Sequence, residues 1–313
     1  MQKVALIYNP HSGNHTERRL RQLHEATARL RASGIDATIL PTRAAGSAAA
    51  QAREAVAAGC DTILACGGDG TANEILQGLI GTDVAIGVLP QGTANALAAD
   101  LGIPANPKRA LEVLLKARRV RIPVGLMTYK SLTGESASRY FTVAAGVGAD
   151  GKFFSTLDSR LKRRYGYLLY LIEAFRLWAT HNFPLFETKI DPQPDVAGPL
   201  YFSQLLTVRI TDFGGVVHRL VPGAALLNPG LSLIATRTRD RFRYLRFIFA
   251  VFFGRHTFED TFELFNAKSV ECTALDGSKQ KIYVEADGEL LGTLPVKIEV
   301  CPDALTLLVP QKK

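Results

Sequence analysis

At 313 residues, with 47% hydrophobic and 21% charged, the chain has an ordinary globular balance and exceeds the usual size of one domain, so two domains are expected. Its 37 basic and 29 acidic residues leave a formal charge of +8, which suits phosphate-bearing partners: nucleotides, anionic lipid headgroups or nucleic acid. Nucleic acid gains nothing further, because the chain carries no zinc-knuckle spacing, RNP-like aromatic motif or basic heptad helix. Cys60, Cys66, Cys272 and Cys301 form no C-x-x-C pair, and the N-terminus turns polar too quickly for a signal peptide, so free thiols in a reducing cytosol are expected. The apolar run from Phe247 to Phe253 falls far short of the ~20 residues a membrane span needs, so no crossing is expected.

In chain order, Val4 to Tyr8 reads as a strand and Thr16 to Ala32 as a helix with Thr16 at its N-cap. Asp36 to Leu40 is a second strand, Gly46 to Ala58 an Ala-rich helix, and Thr62 to Ala65 a third strand followed by a helix from Thr71. Val84 to Leu89 is a fourth strand, with a helix from Ala94. Continuous apolar strands alternating with helices predict a parallel sheet covered on both faces, a doubly wound α/β domain. After Pro123 the runs become β-branched and aromatic with Gly and Pro breaks: Tyr140 to Ala145, Leu205 to Ile210, Leu231 to Ala235, Lys281 to Ala286, Val296 to Val300 and Thr306 to Val309. This predicts a mainly antiparallel β domain, interrupted by helices near Tyr165 to His181 and Arg241 to Gly254.

Three segments of the first half share one design, an apolar strand running through a Gly- or Pro-containing turn into a helix. They are Asn9-Pro10-His11-Ser12-Gly13, Gly67-Gly68-Asp69-Gly70-Thr71 and Pro90-Gln91-Gly92-Thr93-Ala94-Asn95. In a parallel sheet such turns lie at the carboxyl ends of the strands, where ligands bind. Glycines admit close approach of the backbone, and free amides at a helix N-terminus attract anions. Ser12, Thr71 and Thr93 add hydroxyl donors. Asp69 would repel phosphate unless a divalent ion sat between them, so the turn implies magnesium with a nucleotide. One such turn alone is more simply a tight connection that needs glycine; three at one edge point to a phosphate site.

Gly146-Val-Gly148-Ala-Asp-Gly151-Lys152 imitates G-x-G-x-x-G and nearly a Walker A motif, but Phe153 stands where Ser or Thr would bind magnesium. The region ~20 residues on looks helical instead of ending a strand in an acid, so we read a structural Gly-rich turn and reject an oxidoreductase. Near the other end, Glu285, Asp287 and Glu289 stand at i, i+2 and i+4. On a strand they would share a face and one could serve as a general base; equally, Asp287-Gly288 could be a hairpin turn with solvent-facing acids.

The three turns and the acidic segment together resemble the diacylglycerol kinase catalytic family, which includes sphingosine and ceramide kinases and is distantly related to NAD kinases. The resemblance covers nearly the whole chain. Asn9, Pro10, Ser12 and Gly13 resemble its first nucleotide loop, and Thr42 with Gly46 its T-x-x-x-G element. Gly67, Gly68, Asp69, Gly70 and Thr71, continuing into Asn73 and Glu74, resemble its glycine-rich signature, with Gly92, Thr93 and Asn95 in the following loop. Asp287-Gly288-Glu289 is similar to its D-G-E, whose Glu is the proton acceptor, and this favours the base reading of that segment. The resemblance implies a nucleotide domain over 1–122, a β-rich lipid-substrate domain over 123–300, a return of 301–313 to the first domain, and a reaction cleft between the two. The chain departs from the family pattern at Ala96-Leu97, where Asp-Phe is usual. It departs again at Leu227-Asn228-Pro229-Gly230, where paired acids help some bacterial members bind a structural magnesium; that second ion is not expected here.

The expected activity is therefore transfer of the γ-phosphoryl group of ATP, with Mg2+, to a lipid hydroxyl, most simply that of diacylglycerol. Glu289, oriented by Asp287, would be the base, and Asp69 the metal ligand. Alternatives are another acceptor (phosphatidylglycerol or a sphingoid base), an NAD kinase, or a silent nucleotide-binding protein of the membrane surface. No second Asn-Glu ribose-binding segment of the NAD kinase type follows downstream. Peripheral contact with the anionic inner face of the membrane is expected through Arg241, Arg243 and Arg246 with the Phe242, Leu245, Phe249, Phe252 and Phe253 face; equally, these phenylalanines could be core and the arginines solvated. The basic cluster Arg160 to Arg164 would assist. A homo-oligomer is left open.

Overall fold

Strands that are apolar along their whole length need cover on both faces, and the first half of the chain supplies it. In the computed structural model, which describes residues 1–10, 16–156, 175–176, 178–193, 198–213, 220–252, 262–278 and 280–311, four parallel strands adjoin in the order β2-β1-β3-β4. They are β1 (Lys3–Tyr8), β2 (Asp36–Pro41), β3 (Thr62–Gly67) and β4 (Ala85–Pro90), and every residue of β3 and β4 is buried. The helices are α1 (Thr16–Ala32), α2 (Ala48–Ala57), α3 (Asp69–Leu79), α4 (Ala96–Asp100) and α5 (Pro107–Leu115). Chain order steps outward from β1 to β2 and then returns past β1 to β3. Right-handed crossovers put α1 and α2 on opposite faces at such a reversal, and indeed α2 packs on α3 while α1 packs on α5. The sheet is doubly wound, as the alternation predicts, and its order reverses between β1 and β3.

The chain divides into two compact units, one formed mainly by Met1–Val124 and Pro302–Lys313, the other by Gly125–Asp212 and Val216–Cys301. In the second unit β7 (Ala144–Gly148), β10 (Gln204–Val208), β11 (Leu231–Thr236), β12 (Phe262–Ala267), β14 (Tyr283–Ala286) and the first part of β15 (Glu289–Val309) make an antiparallel run, β12-β11-β10-β7-β14-β15. The end of β5 (Arg118–Ser131) pairs with β6 (Ser136–Phe141), while β8 (Phe186–Asp191) lies between β9 (Leu200–Phe202) and β13 (Ser269–Ala274). Phe141, Phe186, Phe202, Leu233, Val270, Val284 and Ile298 meet in one apolar core. The second unit also holds helices α6 (Ala149–Thr156) and α7 (Arg241–Phe252). The helix expected near Tyr165 to His181 and the Arg160 to Arg164 cluster lie largely outside the described residues.

Three local expectations change. The run Tyr140 to Ala145 is not one strand, because β6 stops at Phe141 and β7 starts at Ala144. Val296 to Val300 and Thr306 to Val309 belong to one strand, β15, which carries the chain from the second unit back into the first. The G-x-G-x-x-G segment is a strand end running into α6, not a free turn: a Cβ on Gly148 would lie 2.5 Å from the Ser203 carbonyl, and one on Gly151 2.3 Å from that of Tyr283. These glycines admit neighbouring backbone, a structural role. All four cysteines are free thiols, and burial pushes Cys272 up to about 12.

Candidate functional site

The carboxyl ends of β1, β3 and β4 carry the three glycine- or proline-containing turns, beside the point where strand order reverses, which is where open α/β sheets bind ligands. Asn9 and Pro10 follow β1 and are half-buried, whereas Ser12 and Gly13 lie outside the described residues. Thr42, at the exit of β2, donates its N–H to the Tyr8 carbonyl at 2.8 Å and so ties the ends of β1 and β2 together. Gly46 follows with φ 78 ahead of α2.

The second and third turns touch backbone to backbone. Gln91 donates its N–H to the Gly67 carbonyl at 2.8 Å, and a Cβ on Gly92 would lie 2.5 Å from the Gly68 Cα. No side chain fits between them. Asn95 is left-handed (φ 51), and its amide closes the third turn by accepting the Gly92 N–H at 2.8 Å and donating to the Gly92 carbonyl at 2.9 Å. Thr93 is exposed at the tip, while Thr71 is buried behind Gly67 and Gly70 lies in the first turn of α3.

Helix α3 starts at Asp69, two residues before the expected Thr71, because extended Gly68 (φ −97, ψ −171) serves as its N-cap. Asp69 thus occupies the first turn, where the helix dipole favours an acid. Its Oδ1 accepts the Leu97 N–H of α4 at 3.3 Å, so the carboxylate spans the second and third turns. Asn73 is buried and accepts from the Gln77 amide, and Glu74 accepts the Ala48 N–H at the start of α2 at 3.4 Å. These two side chains brace helices behind the turns.

Arg19 escaped the sequence reading. From the first turn of α1 it donates to the Gln91 side chain at 3.3 Å, beside Cys66 at the end of β3. Burial lowers its pKa. A usable signal existed, since Arg18 and Arg19 oppose the helix dipole at an N-terminus where an anion would reverse the sign.

The acidic segment corrects the expectation that three acids share one strand face. Asp287 (φ 48) and Gly288 (φ 80) form the two-residue turn between β14 and β15, the left-handed pair that Asp-Gly adopts readily. Nor do the acids all face solvent. Glu285 is buried and accepts the Gly288 N–H at 2.9 Å. Asp287 accepts the backbone N–H groups of Thr142 at 3.1 Å, Val143 at 2.9 Å and Ala144 at 3.1 Å. That cradle is why the ladder breaks between β6 and β7: these amides turn to a carboxylate instead of a strand. Glu289 projects from the first position of β15, partly exposed, and receives a 2.7 Å bond from Arg139 of β6, a partner no local pattern announces. Burial, with a smaller push from Glu289, raises the Tyr129 hydroxyl against the pull of Arg139.

Asp69 and Glu289 therefore have distinct settings, an acid at a glycine-lined helix N-terminus in the first unit and an arginine-paired carboxylate on a hydrogen-bonded hairpin in the second. Family profiles match both units: Diacylglycerol kinase catalytic domain over residues 3–127 and YegS C-terminal NAD kinase beta sandwich-like domain over 142–309, the latter more than half of the chain. The chain belongs to the diacylglycerol kinase catalytic family. A diacylglycerol kinase of Mycobacterium tuberculosis is 28% identical over 313 residues (99% of this chain, 96% of that one). One from Bacillus subtilis is 26% identical over 318 residues (100% and 98%). A Bacillus anthracis diacylglycerol kinase structure superposes with a TM-score of 0.74 at 22% identity, covering 98% of this chain and 97% of that one. Yeast NADH kinase, complexed with NADH, has a TM-score of 0.56 at 11% identity, covering 100% and 84%, a likeness of fold. Family membership makes this chain a lipid-kinase-family protein; among the described residues no helix is long and apolar enough to cross a membrane.

Proposed function

We propose that the chain transfers the γ-phosphoryl group of ATP to the hydroxyl of a membrane lipid, with diacylglycerol as the acceptor. The observation that carries this reading is the backbone contact of Gly68 with Gly92, with Asp69 reaching across it to α4. Two turns that meet glycine on glycine, opening on the start of α3, suit phosphate oxygens that need amides close by. Exposed Thr93 and the guanidinium of Arg19 add donors at the same edge.

Among the described residues no cluster of three or more His, Cys, Asp or Glu could hold a metal alone. A single carboxylate beside a phosphate cradle nevertheless fits magnesium, which commonly takes one or two carboxylates plus phosphate oxygens. In this reading Asp69 holds the ion that accompanies the nucleotide, and the ion supplies charge neutralisation on the phosphates. The acceptor oxygen forms the new bond to the γ-phosphorus as the bridge to the β-phosphate breaks, and its proton passes to Glu289. Arg139 keeps that carboxylate aimed, and Asp287 acts by pinning the hairpin to Thr142–Ala144 and not by touching the reacting atoms. Little basicity is required, because the transition state of such transfers is loose.

The deciding assay offers γ-labelled ATP and Mg2+ with vesicles of diacylglycerol, phosphatidylglycerol or sphingosine, and separately with NAD. Label should enter phosphatidic acid. Label confined to phosphorylated NAD, or none at all, overturns the proposal.

A lipid acceptor also requires contact with a bilayer surface. Phe242, in the first turn of α7, is 73% exposed and Phe175 is 65% exposed. Trp178 stands between them, 5.3 Å from Phe175 and 5.8 Å edge-on to Phe242, with its indole N–H on the Arg241 carbonyl. Arg176, Arg241, Arg243 and Arg246 are exposed around this cluster. Of the apolar α7 face expected from the sequence, Phe242 is exposed and Leu245 half-buried, while the side chains of Phe249, Phe252 and Phe253 lie outside the described residues; Tyr244 turns inward onto Phe183. In this reading the aromatic cluster dips among headgroups while arginines meet their charge. Co-sedimentation with liposomes should rise with anionic lipid and fall in high salt. Each basic side chain contributes about 1 kcal/mol, so Arg243→Gln with Arg246→Gln should weaken binding roughly ten- to thirtyfold. Binding indifferent to salt and lipid charge would leave the cluster without this role.

A further inference from the structure

Immediately after β10, Arg209 has one of the largest fully buried side chains of the described residues, at 1% exposure. Its guanidinium donates to three carbonyls of one loop: Leu226 at 3.2 Å, Asn228 at 3.1 Å and Gly230 at 3.1 Å. Its backbone N–H donates to the Val143 carbonyl at 2.9 Å, in the segment whose amides cradle Asp287. Burial pulls the guanidinium down to about 10, and the charge of Asp287 opposes that fall. Arg209 thus joins the 226–230 loop, held by its side chain, to the 142–144 segment, held by its backbone, and that segment's amides hold the carboxylate of the hairpin. The loop is the one where Asn228 and Pro229 stand in place of the acids that the family resemblance led us to look for. Asn228 rounds it off by accepting the Gly230 N–H at 3.3 Å and donating to the Gly223 carbonyl at 3.2 Å.

Stability alone does not account for this arrangement. A buried charge network is often no more stabilising than apolar side chains of equal volume, and breaking it leaves an uncompensated ion. A forked donor with a fixed plane, by contrast, sets the relative position of everything it touches. We propose that Arg209 is a positioning residue for phosphoryl transfer: it clamps the 226–230 loop against the 142–144 segment whose amides hold Asp287, and so fixes the hairpin from which Glu289 projects. This rests on the assignment of Glu289 as the proton acceptor.

The test uses the full chain with Arg209→Met, which keeps length and loses charge, and Arg209→Lys, which keeps charge and loses the fork. Hydrogen exchange read by mass spectrometry needs no activity. Arg209→Met should speed exchange in peptides covering both 142–144 and 226–230, while β1 to β4 keep wild-type protection. Kinetically, kcat should fall by about a hundredfold, as misplacement of a reacting group by an ångström does, with the KM for ATP within about threefold of wild type. Arg209→Lys should lie between in both readouts. Wild-type exchange in either segment of a folded Arg209→Met, or a kcat within about tenfold of wild type, overturns the proposal. Should the Met variant not fold, Arg209→Lys decides: unchanged exchange or unchanged kcat overturns it. If the wild-type chain phosphorylates no lipid, the proposed activity falls on its own and the exchange experiment still judges Arg209.

Discussion

Asp69→Ala should abolish turnover in a chain that remains folded. The substitution removes one hydrogen bond to the Leu97 N–H and one acid from the start of α3. Together these cost about 1–2 kcal/mol, small against a typical domain stability of about 5–15 kcal/mol. The effect on transfer should be far larger, because in the proposed reading this carboxylate would couple a magnesium ion to the phosphates, and such charge stabilisation is worth several kcal/mol at the transition state. Activity on ATP and lipid, measured beside a circular dichroism melt, checks both halves of the expectation. Near-normal turnover in a folded variant would remove Asp69 from the phosphate site and with it the reason for invoking magnesium.

Glu289→Gln should lower kcat by about 10²–10⁴, toward the smaller figure if the transition state is as loose as in most phosphoryl transfers. Glutamine keeps an oxygen for Arg139 and leaves the Asp287 cradle intact, so the hairpin retains its shape while its end can no longer take a proton. Nucleotide affinity should change little, since the glycine turns belong to the first unit. Calorimetric ATP binding beside initial rates separates the possibilities. A variant that loses affinity but keeps kcat would make Glu289 a positioning or turn residue.

What could be read in advance follows from where the information sits in the chain. β1 to β4 and α1 were legible because an unbroken apolar run or a 3.6-residue period is local. The Asp287-Gly288 turn was legible for the same reason, yet the even choice between strand face and exposed hairpin missed the outcome. The turn exists, but its Asp accepts from amides 143 to 145 positions earlier, a partnership without local trace. Arg139 and Arg209 were invisible on the same grounds: an arginine in a β-rich stretch reads as a solvated charge until the fold closes over it. The start of α3 shifted to Asp69 because Gly68 can be an extended N-cap, so a residue expected in the turn became part of the helix.

The way β15 threads back has a consequence for how the molecule is made. Residues Thr306 and Leu307 pair with Ala85 and Ile86, so β4 receives its second neighbour from a segment synthesised after the whole second unit. While the ribosome is still producing residues 125–301, the nascent first unit carries β4 as an unprotected edge, and an apolar one (Ala85, Ile86, Val88 and Leu89 are all buried in the finished fold). Bare edges of that kind are templates for wrong pairing. The first sheet gains its last strand only when the C-terminal segment pairs with β4. Completion of the first sheet therefore comes last in biosynthesis, although most of its residues are translated first.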